Sequence, residues 1–97
     1  MTATVGVLHI RLALPAATLK DKRTIVKSLV ARLRTRFNAS VAEVADLDDP
    51  GHATLAAACV SNDARHADSQ LQAVANAIQE WRLDAEVIGL ETEVFPV

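Results

Sequence analysis

The chain has few cysteines, aromatics and glycines. Its 97 residues include one cysteine, two phenylalanines, one tryptophan and no tyrosine. The single Cys59 cannot form an internal disulfide, which is typical of proteins from a reducing compartment. The three glycines, Gly6, Gly51 and Gly89, lie far apart, so the sequence lacks the glycine-rich loop that holds phosphates in nucleotide-binding proteins.

Long hydrophobic runs are also missing. No stretch approaches the roughly 18 apolar residues that a membrane-spanning helix needs. The N-terminal apolar stretch has no basic residues before it, and it alternates with His9 and Arg11, which is unlike a signal peptide. We therefore expect a cytoplasmic protein without membrane association, and the length predicts a single domain over residues 1–97.

Charge is strongly segregated along the chain. Residues 1–40 contain eight basic residues and one acidic residue, whereas residues 41–97 contain two basic and eleven acidic residues. The net charge of −2 therefore conceals balances of +7 and −9. Such asymmetry between two parts of one chain suggests a surface that meets a charged partner.

Hydrophobic periodicity predicts the secondary structure. Alternating apolar residues predict strands over 5–14, 40–47, 52–61 and 85–95, with the turn "DDPG" joining the second and third strands as a hairpin. In the last strand, Ile88, Leu90 and Val94 are predicted to share one face, and Glu91, Glu93 and Phe95 the other.

Two amphipathic helices separate these strands. The first begins near Thr18, a predicted cap, and carries apolar residues every three or four positions up to Phe37. The second follows "SND", whose residues are all good caps. The order β-α-β-β-α-β predicts an α+β, ferredoxin-like sandwich: a four-stranded antiparallel sheet with two helices on one face.

Several segments resemble a known family. The stretches "VGVLHIRLALP", "LKDKR", "RFNASVAEV", "ATLAAACVSND" and "ARHA" are similar to the YlxP-like family of bacterial proteins (DUF503), whose function is unknown. The resemblance covers nearly the whole chain and implies a ferredoxin-like fold. The family's genes commonly lie between those of a translation initiation factor and a ribosome-binding factor, which implies a role near ribosome assembly or translation. The hairpin tip Asp48–His52 departs from the family's pattern.

The first helix is the candidate functional site. Four of its cations fall within about 60° of arc at 100° per residue, and two more flank the other side of its apolar stripe. We predict that these side chains bind the backbone of ribosomal RNA or of a ribosomal particle; they are Lys20, Lys22, Arg23, Lys27, Arg34 and Arg36. The alternative is a solvated helix face whose charges balance the acidic part of the same domain.

The sheet offers a second possible surface. RNA recognition motifs share this element order and stack bases on sheet aromatics, but the predicted inner strands contain none. Val7, His9 and Arg11 are expected to face Glu91 and Glu93 across the open side of the sheet. If small and apolar residues form a patch there, a homodimer should cover it, so a protein–protein adaptor or homodimeric scaffold is the alternative function.

No residue group indicates catalysis. Ser61, Asp63 and His66 lie close in sequence, but residues of these types at a helix start more simply cap it. The aspartates at 46, 48 and 49 lack the spacing of a calcium loop, and the three histidines share no ligand spacing. We predict a non-enzymatic protein with no metal and no cofactor.

Overall fold

The computed structural model describes residues 2–81 and 84–97, and its elements follow the predicted order. They are β1 Thr4–Ala13, α1 Leu19–Arg36, β2 Ser40–Ala45, β3 His52–Ser61, α2 Ala64–Glu80 and β4 Glu86–Pro96. The strands form an antiparallel sheet in the order β2-β3-β1-β4, with β1 and β3 in the centre. The ferredoxin-like α+β fold is therefore confirmed.

Both helices begin at the predicted caps. The side chain of Thr18 accepts a hydrogen bond from the backbone N–H of Asp21 at 3.2 Å. Asp63 accepts from the backbone N–H of Arg65 at 2.9 Å. Each cap satisfies a backbone donor that the first helical turn leaves without an intrahelical partner, which fixes where the chain changes from extended to helical.

A single hydrophobic core lies between the helices and one face of the sheet. Leu8, Ile10 and Leu12 alternate along β1 and are at most 1% exposed, and Leu33 and Leu71 from the two helices pack into the same cluster. The opposite face of the sheet has no helix over it among the described residues. The fold thus leaves two surfaces for function: the outer side of the helices and the open face of the sheet.

The last strand departs from the prediction at one residue. Leu12 pairs with Val87, whereas the residue before Leu12 pairs with Gly89, so Ile88 is an extra residue in a β-bulge. Val87 packs against the core and Ile88 is 46% exposed. The prediction that Ile88 shares a face with Leu90 and Val94 is wrong, because a bulge reverses the alternation of faces on one side of it.

Candidate nucleic-acid interface

The outer side of α1 carries a row of exposed cations, which we call the cationic row. It consists of Lys20, Arg23, Lys27 and Arg34. The row extends for roughly 20 Å at 1.5 Å per residue. Within the described part of the chain, none of these four side chains has a carboxylate oxygen within 4.0 Å. The row is therefore not neutralised by direct ion pairs with the domain's own acids.

The buried stripe of the same helix keeps the row facing outward. Val26, Leu29 and Leu33 are 7%, 5% and 0% exposed and face the sheet. Residues three or four apart share a helix face, so anchoring this stripe fixes the direction of the rest of the helix surface, including the row beside it. The cationic row therefore belongs to a rigid element with a defined orientation.

Arg34 differs from the other three members of the row. Its guanidinium Nη2 donates a hydrogen bond to the backbone carbonyl of Val41 at 2.6 Å, which ties the last turns of α1 to β2. The side chain nevertheless belongs to an exposed residue. Because a guanidinium has five N–H donors, one internal bond leaves others for a phosphate.

Lys22 requires a correction. It is 1% exposed, and its ammonium group lies 3.0 Å from Oε2 of Glu43 and also donates to the backbone carbonyl of Asp46. The prediction that Lys22 belongs to the RNA-binding set is wrong, because the helix turns its side chain toward β2 instead of toward solvent. At 100° per residue, Lys22 lies between Leu29 and Leu33 in the middle of the buried stripe, so helical periodicity already indicates that it faces inward.

Asp46 organises the end of β2 beside this ion pair. Its backbone has a φ of 61°, an uncommon value outside glycine that aspartate tolerates better than most residues. Its carboxylate accepts a hydrogen bond from the hydroxyl of Thr54 at 3.0 Å, and its carbonyl accepts from Lys22. The hairpin is thus joined to α1 through a buried cation.

The remaining predicted residue, Arg36, lies at the C-terminal end of the helix. Its guanidinium carbon is 5.3 Å from the centre of the Phe37 ring. Arg32, which sequence reasoning did not select, lies 4.0 Å above the ring of Trp81. On the helical wheel, Arg32 lies far from the cationic row. Trp81 is 49 positions further along the chain, so only the tertiary structure brings Arg32 and Trp81 together.

Acidic residues lie mainly away from α1. The helix contains one acid, Asp21, in its first turn, where a negative charge favours the positive end of the helix dipole. Exposed acids occur on β4, as Glu86, Glu91 and Glu93, and at the hairpin tip, but also on the helical side, as Asp68 and Glu80 of α2 and Asp84 beside α1. The charge segregation of the sequence is therefore retained along α1 itself and only in part on the helical side as a whole.

The hairpin tip has its own local electrostatics. The backbone N–H of Gly51 donates to Oδ1 of Asp49 at 2.9 Å, and Nδ1 of His52 lies 3.0 Å from Oδ2. These two contacts, the first being the larger effect, lower the pKa of Asp49 below its ordinary value of 3.8. Among residues 2–81 and 84–97, no group of three or more histidine, cysteine or acidic side chains could hold a metal ion.

Cys59 is buried as the sequence predicts. It is 7% exposed, and its thiol donates to the carbonyl of Ala67 at 3.7 Å. Burial raises the pKa of this thiol above 9.0. The group is therefore a packing residue and not an activated nucleophile.

The open face of the sheet is apolar at one end and charged along one side. Val60 and Phe95 both pair with Val5, forming a row of three apolar residues in which Val60 is 71% exposed and Phe95 39% exposed. The register places His9 opposite Glu91, as expected. No carboxylate lies within 4.0 Å of Arg11 in the described residues.

These features describe a small α+β domain with a cationic helix on one side and an open sheet on the other. The family model for DUF503, described as a protein of unknown function, matches residues 5–92. The chain belongs to this family. No match was found among curated proteins. No helix within the described ranges is both long and apolar enough to cross a membrane.

Proposed function

We propose that this protein binds RNA without chemical turnover, through contacts between the cationic row and the phosphate backbone. The observation that carries the proposal is the exposure of four cations along one rigid helix with no carboxylate within 4.0 Å in the part of the chain that the structure describes. Because the net charge of the protein is −2, this concentration of positive charge is a specific feature of α1.

The row suits a backbone more than a base sequence. Long, flexible lysine and arginine side chains follow phosphates, and phosphate contacts carry no direct sequence information. The central strands β1 and β3 lack the aromatic residues on which RNA recognition motifs stack bases. We therefore propose affinity for RNA with little sequence selectivity, and ribosomal RNA or a ribosomal particle in the cytoplasm as its source, in keeping with the gene context that the family resemblance implies.

Salt dependence tests the proposal directly. Neutralising four phosphates of single-stranded RNA gives a slope of about −3 in log affinity against log salt, or a loss of roughly 50-fold between about 50 and 200 mM salt. The triple substitution Lys20→Glu, Arg23→Glu and Lys27→Glu should abolish binding. It leaves Arg34 and its bond to β2 intact, so the fold should persist.

The matched control reverses charge elsewhere on the surface. Arg65 is exposed near the start of α2, outside the row, and Arg65→Glu should leave RNA affinity within twofold. Fluorescence anisotropy with labelled RNA measures affinity, and circular dichroism checks that each variant is folded. Binding that is insensitive to salt, or that survives the triple substitution, would falsify the proposal.

A second candidate function rests on the open face of the sheet. In the apolar row, Val60 and Phe95 are exposed and Val5 is half-buried. Arg11 and His9 lie on the same face beside the acids of β4. An isologous dimer brings a surface against its own copy, so a face with both signs can pair opposite charges. We propose, as the second candidate, a homodimeric scaffold in which a second copy of the chain covers the open face of the sheet.

The oligomeric state tests this second candidate. Sedimentation equilibrium of the wild type should show a dimer, and Val60→Asp should convert it to a monomer with little change in fold, because Val60 is 71% exposed. Leu47→Asp, at a residue 59% exposed in the hairpin, is the matched control and should leave the dimer intact. A wild type that is monomeric at high concentration rules the scaffold out.

A further inference from the structure

The C-terminal half of α1 forms a shallow groove with the end of α2. Its lining residues are Ala31, Arg32, Thr35, Arg36 and Trp81, and its space of about 500 Å³ is largely open to solvent. An open groove of this kind can hold one exposed group, such as an unstacked base, without enclosing it. The groove lies on the outer side of the helix that carries the cationic row, but the row does not line it.

A stacked pair forms one wall of this groove. The guanidinium carbon of Arg32 lies 4.0 Å from the centre of the Trp81 ring. Trp81 directly follows α2, its backbone N–H donates to the carbonyl of Ala77 at 2.9 Å, and its side chain packs against the core. The indole is therefore held in place, and it in turn supports the guanidinium.

The guanidinium has a second face. Arg32 is exposed although it lies against Trp81, so part of its side chain remains accessible to solvent. Neither Arg32 nor Arg36 has a carboxylate within 4.0 Å across the described ranges. A planar cation with no ion-pair partner, supported by an aromatic ring, is a surface on which a nucleobase stacks.

We propose that this groove stacks one unpaired base of bound RNA on Arg32, with Arg36 beside it to meet the adjoining phosphate. The inference rests on the proposed function and deepens it: the cationic row supplies affinity for the backbone, and the Arg32–Trp81 pair supplies a contact with a base. Base stacking in this protein would therefore occur on the helical side of the domain, whereas RNA recognition motifs stack bases on the sheet.

Two oligomers that differ only in their bases separate stacking from phosphate binding. One is a single-stranded RNA of about ten nucleotides, within the range of known single-strand sites, and the other is an abasic ribose-phosphate chain of equal length and charge. Arg32→Lys keeps the positive charge and removes the planar guanidinium. It should weaken binding of the RNA about fivefold or more and leave binding of the abasic chain unchanged.

Arg23→Lys is the matched control. It makes the same change at an exposed arginine of the same helix, outside the groove. Because Arg23 is proposed to meet phosphates only, Arg23→Lys should change affinity for the two oligomers by the same factor. Thermal melting of both variants should coincide with that of the wild type to within a few degrees, since each substitution is at the surface.

The unsubstituted protein gives an independent measurement. Trp81 is the chain's single tryptophan, and there is no tyrosine, so protein emission reports on this groove alone. Bound RNA should protect Trp81 from quenching by acrylamide, and the bound abasic chain should not. RNA that binds without protecting Trp81, or Arg32→Lys acting equally on both oligomers, overturns the stacking site and leaves backbone binding standing. Failure of both oligomers to bind overturns both proposals.

Discussion

The ammonium nitrogen of Lys22 lies 3.0 Å from Oε2 of Glu43, and the side chain of Lys22 is only 2% exposed. Oε2 is fully buried and, within residues 2–81 and 84–97, has no partner in hydrogen-bond geometry, so the ion pair is what compensates its charge. One cation of the basic helix thus serves the fold, by joining α1 to β2, while its neighbours on the outer side remain exposed.

Removing this cation should destabilise the domain. Lys22→Met leaves the carboxylate of Glu43 buried without its partner, and we expect a loss of about 3 kcal/mol in the free energy of unfolding, near the low end for broken buried pairs because Glu43 keeps 19% exposure. Urea denaturation measures it. Lys20→Met is the control, and Lys22→Met with Glu43→Leu should recover much of the loss. Equal stability of the two single variants would contradict this role.

Gly6 is required by close packing of α2 on β1. A Cβ atom there would lie 2.8 Å from Cδ1 of Leu71 and 3.3 Å from Sγ of Cys59. Leu71 is 1% exposed and has little room to move, so Gly6→Ala should cost about 1–3 kcal/mol. At Gly51 the nearest contact would be 3.5 Å, so Gly51→Ala is the control and should be close to neutral in the same denaturation experiment. A neutral Gly6→Ala would show that the helix can shift.

The carboxyl of Asp49 should titrate below its ordinary pKa of 3.8, because it accepts from Gly51 and contacts His52. A pKa lowered by folding adds stability that is present above the unfolded value and is lost as pH falls through the folded one. Asp49→Asn should therefore reduce the acid sensitivity of the hairpin below about pH 4. In an NMR titration, His52→Ala should bring the pKa of Asp49 only part of the way back to its ordinary value, since the larger effect, the hydrogen bond from Gly51, remains. An unshifted Asp49 would contradict this interpretation.

The thiol of Cys59 should react slowly in the folded protein. Its burial both restricts access and raises the pKa above 9.0, so little thiolate is present at pH 8. Alkylation by iodoacetamide should be at least tenfold slower in buffer than in denaturing urea, where the thiol is exposed and titrates normally. Mass spectrometry follows the reaction, and equal rates in the two solutions would show that the β3–α2 packing opens readily.

Much of the fold follows from local sequence. Period-two alternation locates β3 at His52–Ser61 as predicted, and side-chain oxygens at Thr18 and Asp63 set the helix starts. These features depend on residues a few positions apart. The same locality explains why the element order and the central positions of β1 and β3 were predictable, since the hairpin and the crossovers constrain the topology.

Two of the errors had local signals, and a third relationship did not. An extra residue in β4 exposes Ile88, and the adjacent Gly89 is the kind of residue that often marks a bulge inside a strand. The burial of Lys22 was also readable, because its helical period places it in the stripe of Val26 and Leu29, but its partner Glu43 belongs to another element. The Arg32–Trp81 pair joins the two helices and has no signature in either. Periodicity assigns a face to a residue, but the partner that occupies that face is a property of the tertiary structure.

The helices and the open face lie on opposite sides of the sheet. Two copies joined back to back would therefore point their α1 helices away from each other, and each helix would remain accessible. Such a dimer would be bivalent and could bind two RNA molecules, or two distant parts of one folded RNA. Binding of the second site would be favoured by the high local concentration that binding of the first creates.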